Sequence, residues 1–421
     1  MSPYNGLLGN CLAHYDKALF SLLAPVIAPL LFRQQDPLTA LILTYSLLTV
    51  SIVARPMGAL FFGWLCDYAG RIQALCYSLT GIAVATLAMG SLAMICQLGT
   101  LSPFWMLLIR AVQSFCAAGE STNGAIFVLE QTPAAKQNGM SSYYDAAATA
   151  GWLLASALVA LLTEWGHLDT HWPWLCVLGG FVGLYGLKLR GQALIFPSKP
   201  AIFSKESTPL SKVSLLAFLR IKQQRVAFFA LIAAAGFSYT TYTVAFMLMN
   251  GYIPLISQIN LKTIAWMNVL LISLDIVLSP CFGYLANRWG HRRQMLWAAI
   301  AMMISGVPIF YLLQQASLLT VTISRLLIVA LGIAFAATYH AWAQTLVPAE
   351  ARGRVISLAY ALGSQLIGVP SAAVSLWLYQ KTTWVGAPAF YLVLAAMAAA
   401  FAVNTAKPIL NPSLQENHAK V

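Results

Sequence analysis

Apolar residues occur along this chain in blocks of roughly twenty positions closed by short polar gaps, and not in the one-sided stripes of a helix that faces water. At 1.5 Å of rise per residue, a helix needs about 20 apolar residues to cross the hydrocarbon of a bilayer. The blocks therefore predict twelve spanning helices, over 11–32, 40–65, 74–96, 104–129, 141–163, 172–190, 224–250, 261–286, 294–314, 318–346, 355–378 and 386–404. Six lie before and six after a stretch rich in Pro, Ser and Lys, which has the composition of a linker. The predicted fold is an all-α membrane protein with two six-helix bundles around a central cavity. Its expected parts are an N-terminal bundle (1–190), a cytosolic linker (191–223), a C-terminal bundle (224–404) and a cytosolic tail (405–421).

Composition agrees. The 421 residues are 60% hydrophobic and 9% charged, against about 25% charged in a soluble domain. So few charges cannot cover a water-facing surface. Seven cysteines are scattered singly, with no C-x-x-C, so neither a zinc site nor a disulfide framework is expected. The start "MSPYNGLLGN" lacks the basic region and cleavage site of a signal peptide. The first apolar block is therefore expected to stay as a span, with the N-terminus in the cytosol. Of the 24 Lys and Arg, 17 then fall in cytosolic loops and tails and three outside, with Lys17, Arg55, Arg110 and Arg325 inside spans. Cytoplasmic loops carry such an excess. The net charge of +12 thus has a topological origin, with both termini cytosolic and no call for nucleic acid.

The polar gaps repeat. "GWLCDYAGR" (63–71) separates the second and third spans, and "GYLANRWGHRR" from Gly283 separates the eighth and ninth. Arg110 early in span 4 has a counterpart in Arg325 early in span 10, and "PAAKQNG" from Pro133 has one in "PAEARG" from Pro348. A near-constant offset indicates a duplicated six-span unit, a plan known among secondary transporters. "GNCLAHYDKALF" (9–20), "ARPMGALFFGWLCDYAGR" (54–71) and "RAVQSFCAAGESTNGAIFVLEQTP" (110–133) resemble the major facilitator superfamily, and within it the metabolite:proton symporter branch that holds proline/betaine and dicarboxylate carriers. The chain departs from that pattern at Ala13 (usually acidic), Ser114 (usually Gly), Asn138 (usually Arg) and the "WPW" of 172–174, which lacks its Arg.

In such a transporter Gly63 is expected to let two spans approach closely, and Gly70 to make a tight cytosolic turn. Asp67 and Arg71 would bond across the cytosolic face, with Glu130 as partner of Arg71, to form a gate whose second copy uses Gly283, Gly290 and Arg352. Asn287 stands where Asp67 stands, so the second latch is expected to be weaker.

Ionisable residues within spans are costly and point to function. Here they are Asp16, Lys17, Arg55, Arg110, Glu120, Asp275 and Arg325, with His14 and His340 beside them. In span 4, Arg110, Gln113, Ser114, Ala117, Glu120, Ser121 and Gly124 share one helical face. That stripe is either a cavity wall or polar glue between helices. The resemblance implies that spans 1, 4, 7 and 10 line the cavity. Proton coupling is then expected of Asp16 or Glu120 with Arg110 or Arg55, although Asp16 could instead be permanently paired. Tyr15, Gln113, Tyr242, His340 and Arg325 are the candidates for substrate binding, while Asp275 reads as structural.

No P-loop, catalytic set or metal motif occurs, so no enzyme and no cofactor is expected. The expected partners are a small solute, protons and the lipid bilayer, around a monomer in the plasma membrane, here the bacterial inner membrane. The expected function is proton-coupled import of a small charged or zwitterionic metabolite such as a carboxylate, amino acid or betaine. The alternatives are export of a drug or metabolite, or import of an anionic metal chelate such as a siderophore.

Overall fold

The computed structural model describes residues 3–32, 35–95, 102–133, 136–195, 215–348 and 351–408. Helices follow one another with short joints. In the N-terminal half they are α1 (Pro3–Leu31), α2 (Pro37–Ser46), α3 (Ser51–Ala69), α4 (Arg71–Ile95), α5 (Ser102–Ser121), α6 (Asn123–Glu130), α7 (Gln137–Glu164) and α8 (Leu168–Ile195). In the C-terminal half they are α9 (Leu215–Arg220), α10 (Lys222–Tyr242), α11 (Met249–Ile256), α12 (Leu261–Trp289), α13 (His291–Leu312), α14 (Leu318–Ala336), α15 (Tyr339–Leu346), α16 (Arg352–Gly363), α17 (Pro370–Thr382) and α18 (Ala389–Thr405).

Five pairs run on as single rods: α2–α3, α5–α6, α10–α11, α14–α15 and α16–α17. Counting these and leaving aside the short α9, twelve rods stand where twelve spans were predicted. Among the described residues, eight are long and apolar enough to cross a membrane on length and hydropathy alone. The rods overrun the apolar blocks. Helix α8 continues to Ile195, and α9 and α10 begin at Leu215 and Lys222, so helix takes up both ends of the predicted linker. What lies between falls outside the described residues.

The outer surface is apolar. Val53, Met57, Leu60 and Trp64 on α3, and Leu394, Met397 and Phe401 on α18, are exposed at one-turn spacing. In water such stripes would be a liability, whereas in lipid they are solvated. Inside, α1 packs on α7, α4 on α8 and α3 on α5 within the first half, and α13 on α18 and α10 on α16 within the second. The halves meet along two seams, α7 with α12 and α3 with α16.

Glycine decides how close these approaches are. A Cβ on Gly151 would lie 2.0 Å from the Cys11 carbonyl oxygen, so α1 and α7 touch there backbone to backbone. A Cβ on Gly283 would lie 2.2 Å from Ser142 Oγ, across the seam between the halves. The close approach expected at Gly63 is not required, because a Cβ there would meet Arg354 Cγ at 3.8 Å, an ordinary contact. Gly70 and Gly290 are the single residues between α3 and α4 and between α12 and α13, with φ of 91° and 82°. An L side chain is strained in that region. The repeated gap is short because one glycine reverses the chain.

Candidate functional site

The N-terminal half encloses a chain of polar side chains. Asp16 on α1 accepts hydrogen bonds from the Thr86 hydroxyl on α4 and from Gln113 Nε2 on α5. The Gln113 Oε1 accepts from Arg110 Nη1 one turn earlier. The Arg110 guanidinium lies 4.1 Å from the centroid of the Phe20 ring, a favourable cation–π placement. Asp16, Arg110 and Gln113 are each at most 5% exposed. Asp16 and Arg110 are thus linked through Gln113.

Arg55 reaches Ser121 Oγ at 2.8 Å and lies 5.9 Å from the Tyr360 ring of the other half. Glu120 is fully buried, and its carbonyl oxygen accepts from Tyr144 Oη at 3.3 Å. The side chain of Lys17 lies outside the described residues.

The corresponding arginine of the second half is held differently. Arg325 Nε and Nη2 both donate to the Ala245 carbonyl, at 3.2 and 2.9 Å, and Nη2 also donates to Asn268 Oδ1. Ala245 sits in a π-helical turn, Thr243–Leu248, between α10 and α11. Such a turn widens the backbone ladder, and Arg325 fastens it to α12.

Between the halves lies a cavity of about 120 Å³. Trp152, Tyr242 and Phe246 wall one part of it, and the carboxylates of Asp145 on α7 and Asp275 on α12 face it, among hydroxyls such as Thr149 and Ser279. His340 Nε2 stands 3.5 Å from Asp145 Oδ1. His14 and Ser21 bring α1 to the same wall.

Of the predicted binding residues, only Tyr242 lines this cavity. Tyr15 points to α8, where its hydroxyl donates to the Leu175 carbonyl at 3.0 Å and its ring fills the space over Gly179. Gln113 is committed to Asp16, and Arg325 to Ala245 and Asn268. His340 stands behind Asp145. The span 4 stripe binds helices together and does not form the described cavity wall. Asp275, expected to be structural, is on that wall. Asp145 was missed altogether. Its signal was available, since Asp145, Thr149 and Trp152 recur at one-turn spacing in a span otherwise rich in Ala and Leu.

The halves touch on both sides of the cavity. On the face bearing Gly70 and Gly290, Asn138 Nδ2 donates to Asn287 Oδ1 at 3.0 Å and Ser279 Oγ to the Ser142 carbonyl at 3.1 Å. Toward the opposite face, Tyr45 Oη donates to the Met247 carbonyl at 2.7 Å, and Lys262 pairs with Glu164 at 2.6 Å. All four contacts join one half to the other. Arg352, expected in the gate, donates to the carbonyls of Gln344 and Val347 and so secures the end of α15. Glu130 closes α6, half-buried. The side chains of Asp67 and Arg71 lie outside the described residues.

Comparison with known proteins gives concordant results. The family model described as the Major Facilitator Superfamily matches residues 7–372 and 241–417. A putative proline/betaine transporter of Staphylococcus aureus (strain COL) is 25% identical over 392 residues, covering 91% of this chain and 83% of its own. The proline/betaine transporter of Escherichia coli (strain K12) is 24% identical over 422 residues, covering 97% of this chain and 83% of its own. The fold matches the crystal structure of a D-xylose–proton symporter at a TM-score of 0.74 and 15% identity, over 96% of this chain and 97% of that one. It also matches an outward-facing bacterial homologue of the iron transporter ferroportin at 0.68 and 14%, over 96% and 98%.

Proposed function

The chain belongs to the major facilitator superfamily, and on that premise we propose that it imports a small charged or zwitterionic solute together with a proton. The setting is the bacterial inner membrane with both termini cytosolic, a placement supported by the 17-to-3 excess of Lys and Arg on one side. The two bundles, 1–190 and 224–404, would rock against each other as units around the cavity.

The observation that carries the reading is the buried set Asp16, Thr86, Gln113 and Arg110. An ionised Asp16 accepts from both Thr86 and Gln113. A protonated carboxyl carries its own donor, so one of those bonds must be reversed, as the Thr86 hydroxyl can do by donating to the Ile82 carbonyl instead, or given up. Because the same Gln113 holds Arg110, the proton is felt at the guanidinium and at Phe20 beneath it. Helix α1 carries Asp16 and Phe20, and also His14 and Ser21 of the cavity wall, so proton binding and cavity shape share one element. A second reading, export of a cation in exchange for protons, is favoured by Asp145 and Asp275 facing the cavity. The same carboxylates oppose an anionic chelate.

Uptake by proteoliposomes of labelled betaines, amino acids and dicarboxylates, with and without an inward proton gradient, tests the proposal. Uptake that rises with the gradient, and that Asp16→Asn reduces to gradient-independent exchange, is the expected result. Indifference to the gradient, or solute movement only against it, would overturn import by symport, and the latter outcome would favour the exchanger.

A further inference from the structure

We propose that Asp145, Asp275 and His340 form a second proton site of the transport cycle, set between the two halves, which holds the α7–α12 seam together when protonated and lets it part when the protons leave. The proposal rests on the rocking of the two bundles described above, and it gives the Gly70 side of the cavity a proton site of its own.

The register of the seam places the two carboxylates. Asn138 meets Asn287, Ser142 meets Ser279 and Glu164 faces Lys262, so α7 and α12 run antiparallel. This register sets Asp275 opposite Thr149, one turn from Asp145. Both carboxylates face the cavity, and they are near enough for the charge of one to act on the other. Asp145 belongs to the first half, whereas Asp275 on α12 and His340 on α15 belong to the second. His340 Nε2 lies 3.5 Å from Asp145 Oδ1, and its ring is steadied by those of Tyr144 and Tyr339, at 5.7 and 5.3 Å between centroids.

Charge gives the direction. Without a proton the set is two carboxylates and a neutral imidazole, and like charges oppose one another across the seam in a place shielded from water. A proton on His340 turns its contact with Asp145 into an ion pair between the halves. A further proton on Asp275 makes the set neutral. Two local details agree. Asp145 Oδ2 is buried and accepts no hydrogen bond, so nothing on that side stabilises its charge when His340 is neutral. The Thr149 hydroxyl is spent as a donor on the Asp145 carbonyl at 3.1 Å, so toward Asp275 it offers lone pairs. Asp275 can bond to it as a carboxylic acid and not as a carboxylate.

The other titratable groups on this wall are His14 on α1, Tyr239 and Tyr242 on α10 and Tyr360 on α16. His14 Nδ1 lies 2.9 Å from the Asn10 carbonyl. The charged residues of the remaining packed helices turn elsewhere. Asp16 on α1 bonds to Thr86 and Gln113, Arg325 on α14 to Ala245 and Asn268, and Arg292 on α13 to the carbonyls that end α18. Glu130 ends α6, and Asp169 and Lys188 are exposed near the two ends of α8. Among the described residues, no Lys or Arg lines the cavity. With no solute bound, the counter-charge to these carboxylates has to come from protons.

Pulsed electron spin resonance tests the site, with nitroxides at Lys136→Cys and Arg288→Cys in a cysteine-free full-length background. Both positions are exposed, at the Gly70 ends of α7 and α12. The protein is held in lipid nanodiscs with one pH throughout and no solute, over about pH 5–9. The short distance of the closed seam should gain population as pH falls and lose it as pH rises. Asp275→Asn, uncharged at every pH, should move the midpoint upward by about one pH unit or more, a tenfold change in the ratio of closed to open. His340→Gln, which cannot form the ion pair, should move it downward. Loss of packing alone would not shift the two in opposite directions. Asp16→Asn should leave the transition in place, and melting establishes that each variant is folded. A closed population indifferent to pH in the parent protein, midpoints that fail to move in opposite directions in folded Asp275→Asn and His340→Gln, or loss of the transition in Asp16→Asn would overturn the site. The readout uses neither gradient nor solute. Its failure would leave Asp16 as the coupling residue, and failure of gradient-driven uptake would leave this site standing.

Discussion

Arg110 and Arg325 occupy matching places in the two halves, and each lies over a phenylalanine, Phe20 at 4.1 Å and Phe246 at 5.8 Å. Their hydrogen-bond partners divide them. Arg110 holds a glutamine side chain that is itself bonded to the titratable Asp16, whereas Arg325 holds a backbone carbonyl that no proton can change. Arg325→Ala should therefore act on stability. It leaves the Ala245 carbonyl and Asn268 without their donor in a fully buried place, a loss of about 2–4 kcal/mol, seen as a lower melting temperature of the purified protein. Arg110→Ala should instead remove the gradient-driven part of uptake. The reverse pattern would mean that the second half carries the coupling. Sequence could rank both arginines as costly, but it could not separate them, because a side chain this long reaches any of several neighbouring helices. Asp145 was overlooked for a related reason. It lies near the predicted start of span 5, where a carboxylate is readily taken for a solvated helix end, and only the opposing α12 shows that it faces a cavity.

Helices and their joints were the most legible part of the chain. Twelve apolar blocks became twelve rods because block length answers to bilayer thickness alone, and the two loop glycines were legible because φ of 91° and 82° leaves few other residues. Which glycines allow helices to touch was not legible, since that depends on what lies opposite. Gly63 and Gly283 hold equivalent places in the repeat, yet only Gly283 is crowded. Gly283→Val should push α12 off Ser142, hold that end of the seam apart and slow transport by an order of magnitude or more, while Gly63→Ala should transport normally. Labelling of a single cysteine at Asn138 reports the first effect, and its reactivity should rise only in the Gly283 variant. At this face a departure from the resembled pattern meets an imperfection of the internal repeat. Asn138, usually Arg, bonds to Asn287, which stands where the first repeat has Asp67. Both partners are uncharged amides, so this contact should be insensitive to salt.

At the scale of the whole molecule, contacts between the halves stand on both sides of the cavity, and alternating access as proposed would require one set to open while the other holds. The set on the Lys262 face includes an ion pair that is 51% and 38% exposed. Exposed pairs are weak and screened by salt, which suits a latch that must release. In a background without the native cysteines, Glu164→Cys with Lys262→Cys should be joined by a short bis-methanethiosulfonate cross-linker, which spans the gap left by two long side chains and fixes this face closed. Asn138→Cys with Asn287→Cys should do the same at the other face. If the halves rock, either cross-link stops uptake and reduction restores it. The two also differ in a way that fixes orientation. With the Lys262 face tied, the cavity should still open toward the Gly70 face, so a cysteine at Ser279 on the cavity wall should label only from that side, the side that carries the excess of Lys and Arg. Undiminished uptake by the fully cross-linked protein would mean that these faces do not separate, and that solute passes by a route other than the seam between the halves.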